Sequence, residues 1–417
     1  MEAEIIDQTI EDFVGRYYLP KVLEGICSLE ERDLDRVADM ITQRINNERA
    51  IYVFGNGGSE AIADQMCYAL EIKIDEGSQC YIQSNPKPSL SLDKEHELLF
   101  ERQIKRAHPR DLVILVSGSG NSENILYAYE LCKKRGIESI SVSRGGRLQE
   151  LENYRASHSV KIPIMDQQIE EDVALGFLLL AADLAGYKLE KNKYQDAEGI
   201  KEDAYVAVAR EVEKVEASYL CQISKKIVEA YANGNNVRID APESGPLLIT
   251  AQHLVHNLKW DAFQDIEDVP SNQAHSDCLP YHASGVRNDG GEKYNVSLEV
   301  KYNNRPKDVE LIFARDLFDN RFNALYYQCL ENGIDPFVLN VSDIAEPSFR
   351  SDESLGYIVA SQSLAHIIGR IVNGLLQLDS RGADECILQE HLGKSLERLP
   401  RAADLSEDLM MRYESIE

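Results

Sequence analysis

Several things are scarce in this sequence, and each shortage closes off a class of protein. Its 44 lysines and arginines face 71 aspartates and glutamates among 417 residues, a formal charge of −27. A nucleic-acid surface needs a basic stripe to displace counterions, and an anionic membrane attracts the same sign, so neither is an expected partner. The eight cysteines (27, 67, 80, 132, 221, 278, 329 and 386) form no CxxC and no paired spacing. Most stand among apolar neighbours, as buried thiols of a reducing compartment do. No apolar run approaches the roughly 18–20 residues of a membrane span. The opening MEAEIIDQTIEDF has neither the basic nor the apolar region of a signal peptide, so a cytoplasmic protein is expected. The single tryptophan, Trp260, suits core packing or one wall of a ligand site.

What is present suffices for two domains with full cores, at an ordinary 43% apolar content. With so acidic a surface, any basic patch around an anionic substrate must be local. The most informative stretch is 112–126, LVILVSGSGNSENIL. Its five apolar, partly β-branched residues predict a buried parallel strand, broken by Ser117-Gly118-Ser119-Gly120 before a helix. Backbone N–H groups, a positive helix end and the hydroxyls of Ser117, Ser119 and Ser122 can converge there on one phosphate-like group. The same residues can also make a tight turn that binds nothing. A second short strand, 51–54, runs into Gly55-Asn56-Gly57-Gly58-Ser59 and another helix.

Together, GNGGSEAIAD (55–64), LLFERQIKR (98–106) and DLVILVSGSGNSENIL (111–126) resemble the sugar isomerase (SIS) family, above all its phosphoheptose isomerases, over about residues 51–186. SRGGRLQEL (143–151) and DVALGFLLLAADLAG (172–186) also resemble the bifunctional phosphoglucose/phosphomannose isomerases, whose chains carry two SIS domains. The resemblance implies an α/β protein of two flavodoxin-like parallel sheets with helices on both faces. The expected layout is N-terminal helices at 1–50, SIS domain 1 at 51–188, a linker at 189–202, a SIS-like domain 2 at 203–400 and an acidic tail at 401–417. In such proteins the N-terminal helices pack against a partner domain or subunit, and a homodimer is expected.

The alternation along the chain agrees with this. Strands are predicted near 51–54, 79–83, 112–116, 138–142 and 159–162, with helices near 60–71, 95–106, 122–135 and 171–188. A long helix over about 202–232 leads to strands at 236–240, 246–250, 309–313 and 336–341. Helices near 251–265, 318–332, 353–378 and 381–397 complete the second unit. The polar loop at 84–92 is either a substrate loop, with Lys87 as an anion contact, or a plain surface connection.

Aldose–ketose isomerisation needs an anion cradle, a proton shuttle between C1 and C2, and an acid to open the ring. The resemblance places the cradle at Gly58, Ser59, Ser117, Ser119, Asn121 and Ser122. The chain departs from the family pattern elsewhere. The positions of the phosphoheptose isomerase zinc ligands hold Gln65, Ala69, Glu170 and Leu178, so no zinc site is expected in domain 1, and no metal or cofactor is assigned. Glu71, Glu170 and Glu171 remain as carboxylates with surface or capping roles. Where the phosphoglucose/phosphomannose isomerases carry a catalytic arginine, this chain has Gln168-Ile169-Glu170-Glu171. Their base falls near Gln264, Asp265 or Glu267, their histidine matches His282 after the LP of CLPYH, and Lys259 and Lys394 fall near family lysines. Independently of the family, His253 and His256 share a helix face, followed by Asp261, Asp265, Glu267, His275 and His282. Such a cluster is an acid–base set or a divalent-metal site. Asp265, Glu267 and His282 are the catalytic candidates. The expected function is an aldose–ketose isomerase for a sugar with a terminal phosphate or sulfonate. The alternative is a non-catalytic phosphosugar-binding or regulatory protein, and a shared fold cannot separate the two.

Overall fold

Five short apolar runs in the first half pair side by side in a computed structural model. It describes residues 3–72, 80–84, 100–151, 157–189, 196–213, 215–242, 246–260, 274–275, 308–314, 317, 320–340 and 351–381. The strands are β1 Ile51–Phe54, β2 Ile82–Gln83, β3 Leu112–Val116, β4 Glu138–Ser143 and β5 Ser157–Lys161. They form one parallel sheet in the order β2-β1-β3-β4-β5, the flavodoxin arrangement. Every residue of β1 and β3 is buried, as expected for strands covered on both faces. Ile51 pairs with Leu112 and Phe54 with Leu115, so the loops after β1 and β3 leave the sheet side by side. That is the point where strand order reverses, and where open α/β sheets bind ligands.

Three helices precede the sheet: α1 Ala3–Asp12, α2 Leu19–Cys27 and α3 Glu31–Asn46, with a π-type stretch Phe13–Tyr18 joining the first two. Around the sheet lie α4 Gly58–Ile72, α5 Glu101–Arg106, α6 Glu123–Arg135, α7 Arg147–Glu150 and α8 Gln167–Leu189. Helix α6 ends with Lys133, Lys134 and Arg135 against its negative pole and Gly136 at φ +68°, a left-handed cap. Helix α8 is different in kind. Its residues are buried without interruption from Ile169 to Gly186, so it has no face left for water.

The second half follows with α9 Ala197–Glu213, α10 Ala217–Ala232, β6 Val237–Asp240, α11 Pro246–Trp260, β7 Ala274–His275, β8 Val309–Ala314, α12 Asn320–Glu331, β9 Phe337–Asn340 and α13 Ser351–Arg381. Its sheet is parallel in the order β7-β6-β8-β9, the first sheet's order without the last strand. Two expectations differ from this. The helix predicted over 202–232 is two helices, parted before Glu216, which is extended, and α9 begins inside the predicted linker. The strand predicted at 246–250 is the first turn of α11. Pro246 opens a helix well, and a five-residue apolar run cannot by itself distinguish a strand from a buried helix.

One apolar cluster extends from Ile10 to Leu376 and unites both halves. Helix α8 packs on α3, α4 and α13, α11 packs on α4, and the N-terminal helices lie against α8, α9 and α10 of their own chain. The six described cysteines form no disulfide with one another, and Cys67, Cys132, Cys221 and Cys329 are buried. No helix among the described residues is long and apolar enough to cross a membrane.

Candidate functional site

The loops after β1 and β3 meet as one structure. Gly118 N–H donates to Ser59 Oγ at 3.4 Å, and Asn56 and Asn124 exchange amide hydrogen bonds at 2.8 and 2.9 Å. Within the second loop, Gly120 N–H donates to Ser117 Oγ at 3.2 Å and Asn121 N–H to Ser119 Oγ at 3.1 Å. The Ser117 and Ser122 hydroxyls stand 3.3 Å apart. The loop after β4 braces it from outside: Leu148 N–H donates to Gly120 O and Arg147 N–H to Asn121 Oδ1. Ser59 lies in the first turn of α4 and Ser122 precedes α6, so two helix N-termini and the small hydroxyls share one end of the sheet. Gly58, Ser59, Ser117, Ser119, Asn121 and Ser122 are therefore neighbours.

Gly120 is indispensable to this loop. It has φ +67°, and a Cβ there would lie 1.8 Å from Gly145 O, which is backbone and cannot swing aside. Gly120→Ala is expected to lose at least about 1–2 kcal/mol from the left-handed conformation alone. It should also weaken binding of inorganic phosphate, measured by calorimetry beside thermal unfolding.

Two carboxylates overhang the cradle. Asp166 caps α8, accepting the Ile169 N–H at its Oδ1, and sends Glu170, Glu171 and Asp172 inward at the head of the buried helix. Glu170 is 1% exposed, neither of its oxygens has a hydrogen bond, and Oε2 would stand 2.7 Å from a Cβ on Gly118. Burial, then the charge of Glu171, pushes its pKa up to about 8, against the pull of Arg144. Glu171 is 5% exposed, packs Oε2 against Gly58 and accepts from Gln167 Nε2 at 3.1 Å. Burial would raise Glu171, but the imidazoles of His366 and His253 outweigh it and hold this carboxyl below its ordinary value.

Those imidazoles come from the second half. His366 on α13 and His253 on α11 meet edge to face, with ring centroids 4.8 Å apart. Their ring nitrogens and a Glu171 oxygen lie within 4.8 Å of one another. Behind them, Asp172 is a fully buried hub. It accepts from Tyr18 Oη at 2.9 Å, Ser363 Oγ at 2.7 Å and Gln362 Nε2 at 3.3 Å, and it holds His366 Nδ1 at 2.8 Å. Burial draws His366 down, but Asp172 and Glu171 outweigh it and keep its pKa at about 9. Farther along, Arg370 pairs with Asp166 and Gln168, its guanidinium 5.4 Å from the Tyr18 ring centre.

The sequence-derived candidates divide sharply against this picture. The cradle residues are together. Glu170 and Glu171, expected at the surface or in caps, are buried because the helix behind them is apolar all round. His253 is in the site. The catalytic candidates Asp265, Glu267 and His282, with Lys87 and Lys394, lie outside the described residues, as do the side chains of His256 and Lys259. His366 and Asp172 were not singled out from sequence. Their signal was a polar stripe at Gln362, His366 and Arg370, four apart on an apolar helix. The phosphoheptose isomerase zinc positions do not fit a metal here. Ala69 and Leu178 offer no ligand atom, so two of the four ligands are missing, and Gln65 gives its Nε2 hydrogens to Thr250 and Gln362 at 3.4 and 3.5 Å.

A doubly wound sheet with two hydroxyl-rich loops at its switch point defines an α/β protein whose candidate ligand site lies at its strand ends. The chain belongs to the SIS-domain family, whose model matches residues 17–143. It is 30% identical to the phosphoheptose isomerase of Aneurinibacillus thermoaerophilus over 192 residues, which is 42% of this chain and 91% of that protein. To the phosphoheptose isomerase of Helicobacter pylori strain P12 it is 27% identical over 34% of this chain and 80% of that one. In fold it is similar to a candidate phosphosugar isomerase from Clostridium difficile 630, with a TM-score of 0.52 and 14% identity over 94% of this chain and 97% of that one. A counterpart from Silicibacter pomeroyi DSS-3 gives 0.51 and 14% over 91% and 98%. The fold likeness thus spans both halves.

Proposed function

We propose that this protein is an aldose–ketose isomerase acting on a sugar that carries a terminal phosphate or sulfonate. The observation that carries this is Glu170, a buried carboxylate with neither oxygen hydrogen-bonded, lying against Gly118 of the cradle. Burying such a group without partners is costly, and a protein that only bound its ligand would gain stability by losing it. The names of the relatives, phosphoheptose isomerase and phosphosugar isomerase, support the same substrate class.

The chemistry follows from placement. The cradle holds the anionic end, so the sugar's other end is presented to α8 at little entropic cost at the moment of reaction. In an open-chain aldose, the Glu170 carboxylate takes the proton from C2, and the C–H electron pair becomes the C1=C2 bond of an enediol. The carboxylic acid so formed returns the proton to C1. As the enediol forms, the C1=O π pair moves to O1, which takes a proton from solvent; as it collapses, O2–H gives its proton to solvent and becomes the ketose carbonyl.

Incubation in deuterated water with a panel of sugar phosphates and sulfonates tests this by proton NMR. Solvent deuterium should enter C1 or C2 of at least one member, even without net conversion. Binding of a panel member by calorimetry with no exchange in any would favour the non-catalytic binder instead.

A further inference from the structure

We infer that Glu171, His253 and His366 form a binding site for one divalent transition-metal ion of the zinc type, built across the two halves of the chain. None of the three falls on the zinc positions of phosphoheptose isomerases, which here hold Gln65, Ala69, Glu170 and Leu178. The site therefore rests on this chain's own geometry, and it stands whether or not the protein isomerises a sugar.

The spacing is the first observation. His366 Nε2 stands 3.4 Å from Glu171 Oε2, without hydrogen-bond geometry. An imidazolium–carboxylate hydrogen bond closes to about 2.7–2.9 Å. Two ligand atoms each about 2.1 Å from a tetrahedral zinc stand about 3.4 Å apart. The separation is that of a coordination edge. No pair among the three ligand atoms exceeds 4.8 Å, so adjustments of about 1.4 Å at most close the set to coordination edges.

The second observation is independent and concerns which nitrogen is offered. Asp172 accepts hydroxyl or amide hydrogens from Tyr18, Ser363 and Gln362, which an ionised carboxylate does, so it has no hydrogen to give His366. His366 Nδ1–H therefore donates to Asp172 at 2.8 Å, which leaves Nε2 as the ring atom facing Glu171, and a bound metal ion would displace the proton that Nε2 carries. A carboxylate behind an imidazole that faces a ligand cluster is the outer arrangement metal-bound histidines have. His366 is 0% exposed and Glu171 and His253 each 5%, so water does not screen the two inward-facing ligand atoms from one another. Two imidazole nitrogens and one carboxylate oxygen suit zinc or cobalt(II) and poorly suit magnesium or calcium. With Glu171 Oε2 packed on Gly58, the ion would lie beside the cradle.

The test uses the full chain without a histidine tag, stripped with a chelator and reloaded with Zn²⁺ or Co²⁺ alone. Elemental analysis after gel filtration should find about one zinc per chain, and Co²⁺ should give the intense visible bands of a tetrahedral nitrogen–oxygen site. His253→Ala and Glu171→Gln should lose both, and Asp172→Asn should weaken affinity about 10–100-fold. Folded wild-type protein that retains no zinc, or His253→Ala that retains the wild-type amount, would overturn the site. If a variant does not fold, the wild-type cobalt spectrum decides. Tetrahedral bands uphold the site, and the pale octahedral spectrum of hydrated Co²⁺ refutes it.

Discussion

Glu170→Gln is expected to lower kcat for the accepted sugar by about 10²–10⁴-fold, the usual worth of a positioned general acid–base group. Binding of the same sugar and the thermal midpoint should both survive. The substitution keeps the side chain's shape, and no hydrogen bond is lost because neither Glu170 oxygen makes one. That separation matters, since a residue needed only for folding would lower stability first. Steady-state kinetics, calorimetry and thermal unfolding on the one variant give the answer. Unchanged kcat in a folded variant would take the proton transfer away from α8.

Asp172→Ala is the opposite case, a large loss of stability. The alanine leaves Tyr18 Oη, Ser363 Oγ, Gln362 Nε2 and His366 Nδ1 without their acceptor in a fully buried position. Breaking a buried charge network by removing one partner costs about 3–5 kcal/mol. Tyr18→Phe, which removes one of these bonds and keeps the ring, should cost about 1 kcal/mol. Urea unfolding of the three proteins gives the ratio. Because Tyr18 belongs to the N-terminal segment, Asp172 to α8 and His366 to α13, the hub ties three parts of the chain together.

The two loops were legible in the sequence because their requirements are local. Small hydroxyl residues and glycines between a buried strand and a helix mark a strand-to-helix turn, and Ser59 and Ser117–Ser122 stand at two such turns, side by side. The first sheet was legible for the same reason, each strand being a short apolar run with punctuation on both sides. The acid–base and metal-ligating groups were not. Glu170 and Glu171 look like an ordinary acidic first turn until the absence of any polar face on α8 is weighed. His366 lies 194 residues beyond its partner Asp172, and nothing local to α13 identifies a carboxylate on the other half of the protein as its target. The histidine-rich run at 253–282 drew attention by density along the chain. Of that run, the structure brings His253 to the site, through a neighbour far away in sequence. The break between α9 and α10 carried no glycine or proline to announce it.

The claim beneath all of this is that the loops after β1 and β3 grip the same tetrahedral anion. Amide hydrogen exchange, measured with and without a sugar phosphate that binds, tests it most directly. Peptides covering 55–60 and 117–123 should slow together on addition of the phosphorylated sugar and stay unchanged with its unphosphorylated counterpart. Slowing confined to one loop, or absent from both while calorimetry registers binding, would contradict the account.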